Sequence, residues 1–307
     1  MFKPRKIGYA FGDSFAEQEK QVTIAMDTFD FQDASEYRVF YQLEPPEVLD
    51  IVDTLIDHHG YYDLILAWNE RVLDACPNSK KFIFGTCRWS EDPADEANVA
   101  AKKFEVSYLT SAKMMCAGHK FRHVIYRTLP EYVGGLKIVR HMSPPVLECK
   151  RPMLYPFQYS IIMENARHTN WITEKLIDCL VSRTIPIYWG CPNVGEFFDA
   201  NGILTFEDYG SLVSLLKNLT PELYQTKAAA IEHNLHEAMK YTNVHTRVNE
   251  EIRKLLQSKP IHGDSEHVNN TRPPVDQRPG QAVCEPVPER KSVITRTFHR
   301  AIRKRVL

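Results

Sequence analysis

Short apolar runs alternate with helical spacings along most of the chain. Lys6–Phe11 and Tyr37–Tyr41 read as strands. From Glu47 to His58 the residues Val48, Ile51, Val52, Leu55 and Ile56 recur at helical spacing behind Pro45-Pro46, which predicts an amphipathic helix. Tyr62–Trp68 and Lys81–Gly85 are apolar runs of buried-strand length. The alternation then continues: strand Phe104–Leu109, a helix near His119–Leu129, strand Tyr159–Met163, helix Thr173–Val181, strands Ile185–Trp189 and Gly202–Thr205. Pro221–Gln257 is helix-rich, with a break expected near Tyr241–Asn243. Strand–helix alternation favours mainly parallel sheets with helices on both faces. An acidic stretch of small residues, Ser90–Ala101, marks a boundary, so the expected domains are 1–98 and 99–258.

Beyond Lys259 the pattern stops. Lys259–Arg290 holds six prolines and almost no aliphatic residues, too little apolar surface to offset ordering entropy, and 259–291 is expected to be a disordered linker. In 292–307, Ile294, Phe298, Ile302 and Val306 lie four apart among Arg296, Arg300, Arg303, Lys304 and Arg305. That is a basic amphipathic C-terminal helix, the pattern of a peripheral membrane contact. A solvated basic tail or a nucleic-acid-binding tail fits the charge as well, but phosphate contacts need no aligned apolar stripe, and no nucleic acid is expected.

Composition narrows the class. With 43% hydrophobic and 25% charged residues and a net charge of −1, the chain has an ordinary globular balance and no overall attraction to polyanions. No apolar window reaches transmembrane length, and no signal-peptide core precedes Asp13, so a cytoplasmic protein, peripheral at a membrane surface through its tail, is expected. Seven cysteines without a Cys-x-x-Cys pair argue against a disulfide framework or a zinc site, and His58-His59 reads as surface.

Chemistry concentrates between Tyr159 and Gly190. The strand Tyr159–Met163 ends in Glu164-Asn165, polar groups at the carboxyl end of a parallel strand, where open α/β sheets bind ligands. Thr173-Glu174-Lys175 then opens a helix that Asn170 or Thr173 would cap. Lys175 in the first turn opposes the helix dipole, a conflict that a bound diphosphate would resolve, and Glu174 could accept hydrogen bonds from ribose hydroxyls. On spacing alone, the same residues also fit a solvated helix face and an ordinary turn.

The segment MENARHTNWITEKLIDCLVSRTIPIYWGCPNV resembles the signature of the α-1,3-fucosyltransferases, glycosyltransferase family 10, with Met163 for Phe and Trp171 for Tyr. Arg38–Glu44 is similar to that family's strand delivering a catalytic carboxylate, and Gly134–Arg140 to its Gly-rich segment ending in a donor-contacting Arg. The resemblance implies two Rossmann-like α/β domains facing across a cleft (GT-B type). It implies an inverting transfer of L-fucose from GDP-fucose to a hydroxyl of a glycan acceptor. Glu44 would be the general base, with Glu47 and Glu36 as the other candidates for that role. Arg140 and Lys175 would hold the diphosphate, with Glu164, Asn165 and Thr173 in the same donor site, Glu174 on the ribose and Trp171 lining the sugar pocket. No Asp-x-Asp occurs, and hard cations favour such clustered oxygens, so no metal or other cofactor is expected. Another nucleotide-sugar donor, or a silent nucleotide-sugar or membrane-surface binding module, is the competing expectation.

Overall fold

The computed structural model describes residues 5–9, 20–33, 35–143 and 150–258, with side chains from residue 22 onward. The expected linker 259–291 and basic helix 292–307 lie outside the described residues. Both sheets fall within one compact unit ending at Ile252; a second begins at Arg253.

The first sheet is built from β1 (Arg5–Tyr9), β2 (Lys20–Met26), β3 (Tyr37–Tyr41), β4 (Leu64–Ala67) and β5 (Ser79–Lys81), in that order across the sheet. β1 runs antiparallel to β2, and the other pairs are parallel. Two short helices, α1 (Val52–Asp57) and α2 (Glu70–Ala75), follow β3 and β4. Their apolar faces (Val52, Leu55, Val72) close on Phe40 and Ile65, all buried. The helix expected from Glu47 starts only at Val52. Pro45 has no N–H, and its carbonyl takes the N–H groups of Val48 and Leu49 in a turn instead.

After α3 (Glu96–Ala100) comes β6 (Lys103–Ser111), then α4 (Ala117–Thr128), β7 (Tyr132–Val133), β8 (Leu136–Ser143) and β9 (Phe157–Met163). α5 (Glu174–Val181), β10 (Ile185–Trp189), β11 (Leu204–Thr205), α6 (Tyr209–Lys217), α7 (Pro221–Thr226), α8 (Ala228–Met239) and α9 (Val244–Ser258) complete the order. The second sheet reads β11-β10-β9-β6-β8-β7, parallel except for the β7–β8 hairpin. Its two faces are buried separately. Ile125 of α4 packs with Tyr108, Ile138 and Ile161, while Leu176, Ile177 and Leu180 of α5 pack with Ile162 and Tyr188. Double burial explains why β9 and β10 are continuous apolar runs.

Two expectations change here. Lys81–Gly85 is not a strand: β5 ends at Lys81, the Phe82 N–H makes a last bond to the Ala67 carbonyl of β4 at 2.8 Å, and from Ile83 the chain turns to the second half of the molecule. Arg247 donates to the Ile83 carbonyl at 2.8 Å and lies over the Phe82 ring at 4.4 Å. A Cβ on Gly85 would sit 2.7 Å from Tyr241, so only glycine permits that approach. The run is apolar because it crosses between the two sheets' cores. Gly134-Gly135, expected in a donor-contacting segment, forms the tight β7–β8 turn, with φ of 59° and 88°. Two consecutive positive φ values are what a two-residue hairpin of this twist requires.

Candidate active site

The chain passes from β6 outward to β8, then returns to the other side of β6 as β9, so the topology switches direction between β6 and β9. α4 follows β6 on one face and α5 follows β9 on the other. Their connecting loops therefore part to opposite faces at the carboxyl ends of β6 and β9, the place where such sheets bind ligands. One wall is the start of α4. A Cβ on Gly118 would lie 2.0 Å from the Asn165 carbonyl oxygen, so helix and loop meet backbone to backbone. Arg122 donates to Oδ1 of Asn165 at 2.7 Å. α4 follows Cys116 with no side-chain cap, and its positive end lies against the Asn165 carbonyl, 3.2 Å from Cys116 Sγ.

The other wall is the β9–α5 loop. Glu164 is fully buried, accepting from the Thr173 N–H (3.0 Å), the Thr173 hydroxyl (2.6 Å) and Lys175 Nζ (3.2 Å). Thr173 is the cap of α5, as expected, and its hydroxyl oxygen also lies 3.0 Å from Lys175 Nζ. Lys175 is therefore held by a buried carboxylate, and Glu174 pairs with it at 3.4 Å and with Lys150 at 3.7 Å. Burial opposes the charged Glu174 carboxylate, yet Lys175 and Lys150 outweigh it and hold its pKa at about 2. Burial likewise opposes the Lys175 ammonium, and Glu174 and Glu164 raise it above its ordinary range. The pair is ionised, and the conflict between Lys175 and the helix dipole is settled inside the protein by two carboxylates.

The first sheet contributes the opposite side. Beyond β3 the chain continues through Leu43 to Glu44, on which the charges of Lys175, Glu174, Lys113 and Glu164 act. Burial raises the Glu44 pKa, with Lys175 pulling it back. Burial, reinforced by Lys175, lowers the pKa of Lys113. His119 is pushed down to about 3 by burial and by Arg122, Lys113 and Lys175, so it stays neutral in a cation-rich pocket. Glu47 bonds His168 at 2.9 Å, and Glu36 precedes β3 at the end of the strand away from Glu44.

The structure gathers Glu44, Asn165, Thr173, Glu174 and Lys175, with Glu164 as their buried anchor rather than an open donor contact. Arg140 is placed elsewhere. Its guanidinium donates to the carbonyls of Tyr126 and Leu129 at 2.7 and 2.8 Å, closing the last turn of α4, at the opposite end of that helix from the Gly118–Asn165 approach. It lines a separate cavity of about 550 Å³ with Tyr126, Arg127, Glu131 and Lys137. Trp171 is also not a pocket lining. It is 2% exposed, packs on Trp68, and donates its indole N–H to the Leu43 carbonyl at 3.0 Å. Lys113, His119, Arg122 and Lys150 were missed in sequence. Lys113 follows the carboxyl end of β6, the same rule that singled out Glu164-Asn165. Among the described residues no cluster of three His, Cys, Asp or Glu is suited to a metal ion.

Comparison with known proteins matches residues 100–253, 154 of the 307, to the family model described as glycosyltransferase family 10 (fucosyltransferase) C-term. A stretch of 79 residues, 26% of this chain, is 33% identical to alpha-(1,3)-fucosyltransferase FucT of Helicobacter pylori and spans 16% of that protein's length. A crystal structure of an α1,3-fucosyltransferase aligns over 80% of each chain at 15% identity, with a TM-score of 0.46. The Anabaena protein Alr3699/HepE, solved in complex with UDP-glucose, aligns over 73% of this chain and 72% of its own at 11% identity, with a TM-score of 0.50, a likeness of fold.

Proposed function

The chain belongs to glycosyltransferase family 10, and on that premise we propose that it transfers L-fucose from GDP-fucose to a hydroxyl of a glycan acceptor by one inverting displacement without a metal ion. The observation that carries this reading is that the Trp171 indole, bonded to the Leu43 carbonyl at 3.0 Å, joins the Glu44 loop to the β9–α5 loop, where Glu164 holds Lys175 at 3.2 Å and the charges of Lys175 and Lys113 act on Glu44. Glu44 takes the proton of the acceptor hydroxyl, whose oxygen attacks the anomeric carbon of the sugar. The bond from that carbon to the diphosphate oxygen breaks on the far side, and its electron pair leaves on the diphosphate. Lys175, Lys113 and Arg122, with the uncapped start of α4, stabilise that developing charge. Three cations already in place can do what a divalent ion does in other transferases. Glu174 accepts from ribose hydroxyls, and the two α/β sheets face each other in the GT-B manner.

A carboxylate with a raised pKa suits a general base, which must bind a proton in the transition state yet be ionised at the start. A donor screen tests the proposal: GDP release is measured from a panel of nucleotide sugars, with free mono- and disaccharides as acceptors. GDP-fucose should be the preferred donor, and its product should carry the inverted anomeric configuration. Preferred turnover of a uridine-linked sugar, or retention of configuration, would overturn it.

A further inference from the structure

The loop that carries Glu44 is gripped by a residue with no part in the transfer itself. Asp27 follows β2 in a left-handed backbone conformation, φ +47°, and its own N–H donates to the Tyr41 carbonyl at 3.1 Å. One carboxylate oxygen accepts from the Leu43 N–H and the other from the Glu44 N–H, both at 2.8 Å. From the β9–α5 loop, the Trp171 indole donates to the Leu43 carbonyl at 3.0 Å. Three of the four backbone polar groups of Leu43-Glu44 are thus fixed, two of them by one side chain. We propose that Asp27 is the positioning residue for the base: its ionised carboxylate holds the Leu43–Glu44 peptide so that Glu44 faces Lys175 and Lys113, and protonation of Asp27 releases that hold. The inference rests on the reading of Glu44 as the base.

The chemistry of the contact supports it. Only an ionised carboxylate offers a free acceptor to each of two N–H groups; once protonated, one oxygen turns a hydroxyl hydrogen toward an N–H or away from it. Burial pushes Asp27 up to about 7, with the two N–H groups pulling it down and the Glu44 charge pushing it up further. The other ionisable groups described around it are Tyr41 on β3, whose hydroxyl burial and Asp27 hold neutral, and Arg247 of α9, which faces Tyr41. The hold therefore weakens near neutrality, through a proton taken by Asp27 rather than by Glu44. The acid limb of the rate profile should then report two groups rather than one.

Asp27→Asn is the informative variant, because Asn adopts positive φ readily and keeps the shape while placing an NH2 against one of the two N–H groups. The experiment compares wild type, Asp27→Asn and Glu44→Gln by GDP release from GDP-fucose across pH and by GDP affinity in calorimetry. Amide hydrogen exchange at Leu43 and Glu44 is followed at pH 6 and pH 8, with β9 amides as the control for folding. Asp27→Asn should lower kcat on the order of 10- to 100-fold, the scale of a misplaced group, while KM for donor and GDP affinity hold. Its acid limb should lose the component near pH 7, and both amides should lose protection at pH 8, as wild type does at pH 6. Unchanged protection at both pH values, or Asp27→Asn turning over like wild type while Glu44→Gln is inactive, would overturn the inference alone. If Glu44→Gln turns over like wild type, the base reading fails and this inference falls with it.

Discussion

At the scale of single residues, the site opposes one carboxylate with a raised pKa to a set of cations. Glu44→Gln should leave GDP affinity intact and lower turnover roughly 10²–10⁴-fold, the usual worth of a general base; initial rates with saturating donor check it. Because the Glu44 pKa is raised above its ordinary value of 4.5, the base is lost as pH falls through a window above that value, and activity should fall there. Lys175→Ala should weaken GDP binding by about 1.5–3 kcal/mol, read by calorimetry, since it removes a charge-assisted contact. Stability responds to Asp27 in the opposite sense to activity. Its folded pKa of about 7 lies above the ordinary 3.8, so the folded state binds the proton more tightly and stability is lost as pH rises between those values. Asp27→Asn should flatten that part of the thermal-midpoint profile while impairing turnover. Glu174 and Lys175 could be singled out because they stand in a compact motif after a strand end, whereas Glu44 was named only through the resemblance of Arg38–Glu44 to a family strand. Arg122 and Lys113 were not: each is an isolated cation whose partners come from segments forty or more residues away, such as Asn165. Arg140 misled because it follows two glycines, and glycines serve a hairpin turn as readily as a ligand loop.

At the scale of elements, the proposed site depends on the start of α4 meeting the loop that opens α5. Gly118→Ala would place a Cβ 2.0 Å from the Asn165 carbonyl. It should push α4 from the β9–α5 loop, weakening GDP binding more than it lowers the thermal midpoint; paired calorimetry and melting curves measure the two. Alternation of strand and helix was readable because β3, β4, β6, β9 and β10 are buried on both sides, and period and length suffice for such strands. The Phe82–Gly85 crossing was not readable, since a segment passing between two cores is as apolar as a strand. What separates the two is the Arg247 and Tyr241 contact, which lies far along the chain.

At the scale of the whole molecule, the proposed base and the proposed cations follow strands of different sheets, so the proposed transfer requires the two to hold their relation, and the Trp171–Leu43 and His168–Glu47 contacts tie them. Among the described residues no helix is long and apolar enough to cross a membrane. The apolar stripe and basic residues of 292–307 give an expected, salt-sensitive attachment to anionic vesicles that truncation after Lys259 should abolish, tested by sedimentation. The central claim is that Arg122 and Lys175, not Arg140, grip the leaving nucleotide without an ion. Its most direct measurement is calorimetric titration of GDP, in the presence of EDTA, into wild type, Arg122→Lys, Lys175→Ala and Arg140→Ala. Wild type and Arg140→Ala should bind alike, with the other two weakened roughly tenfold or more. Loss of binding in EDTA, or a weakened Arg140→Ala beside an unaffected Arg122→Lys, would contradict the account.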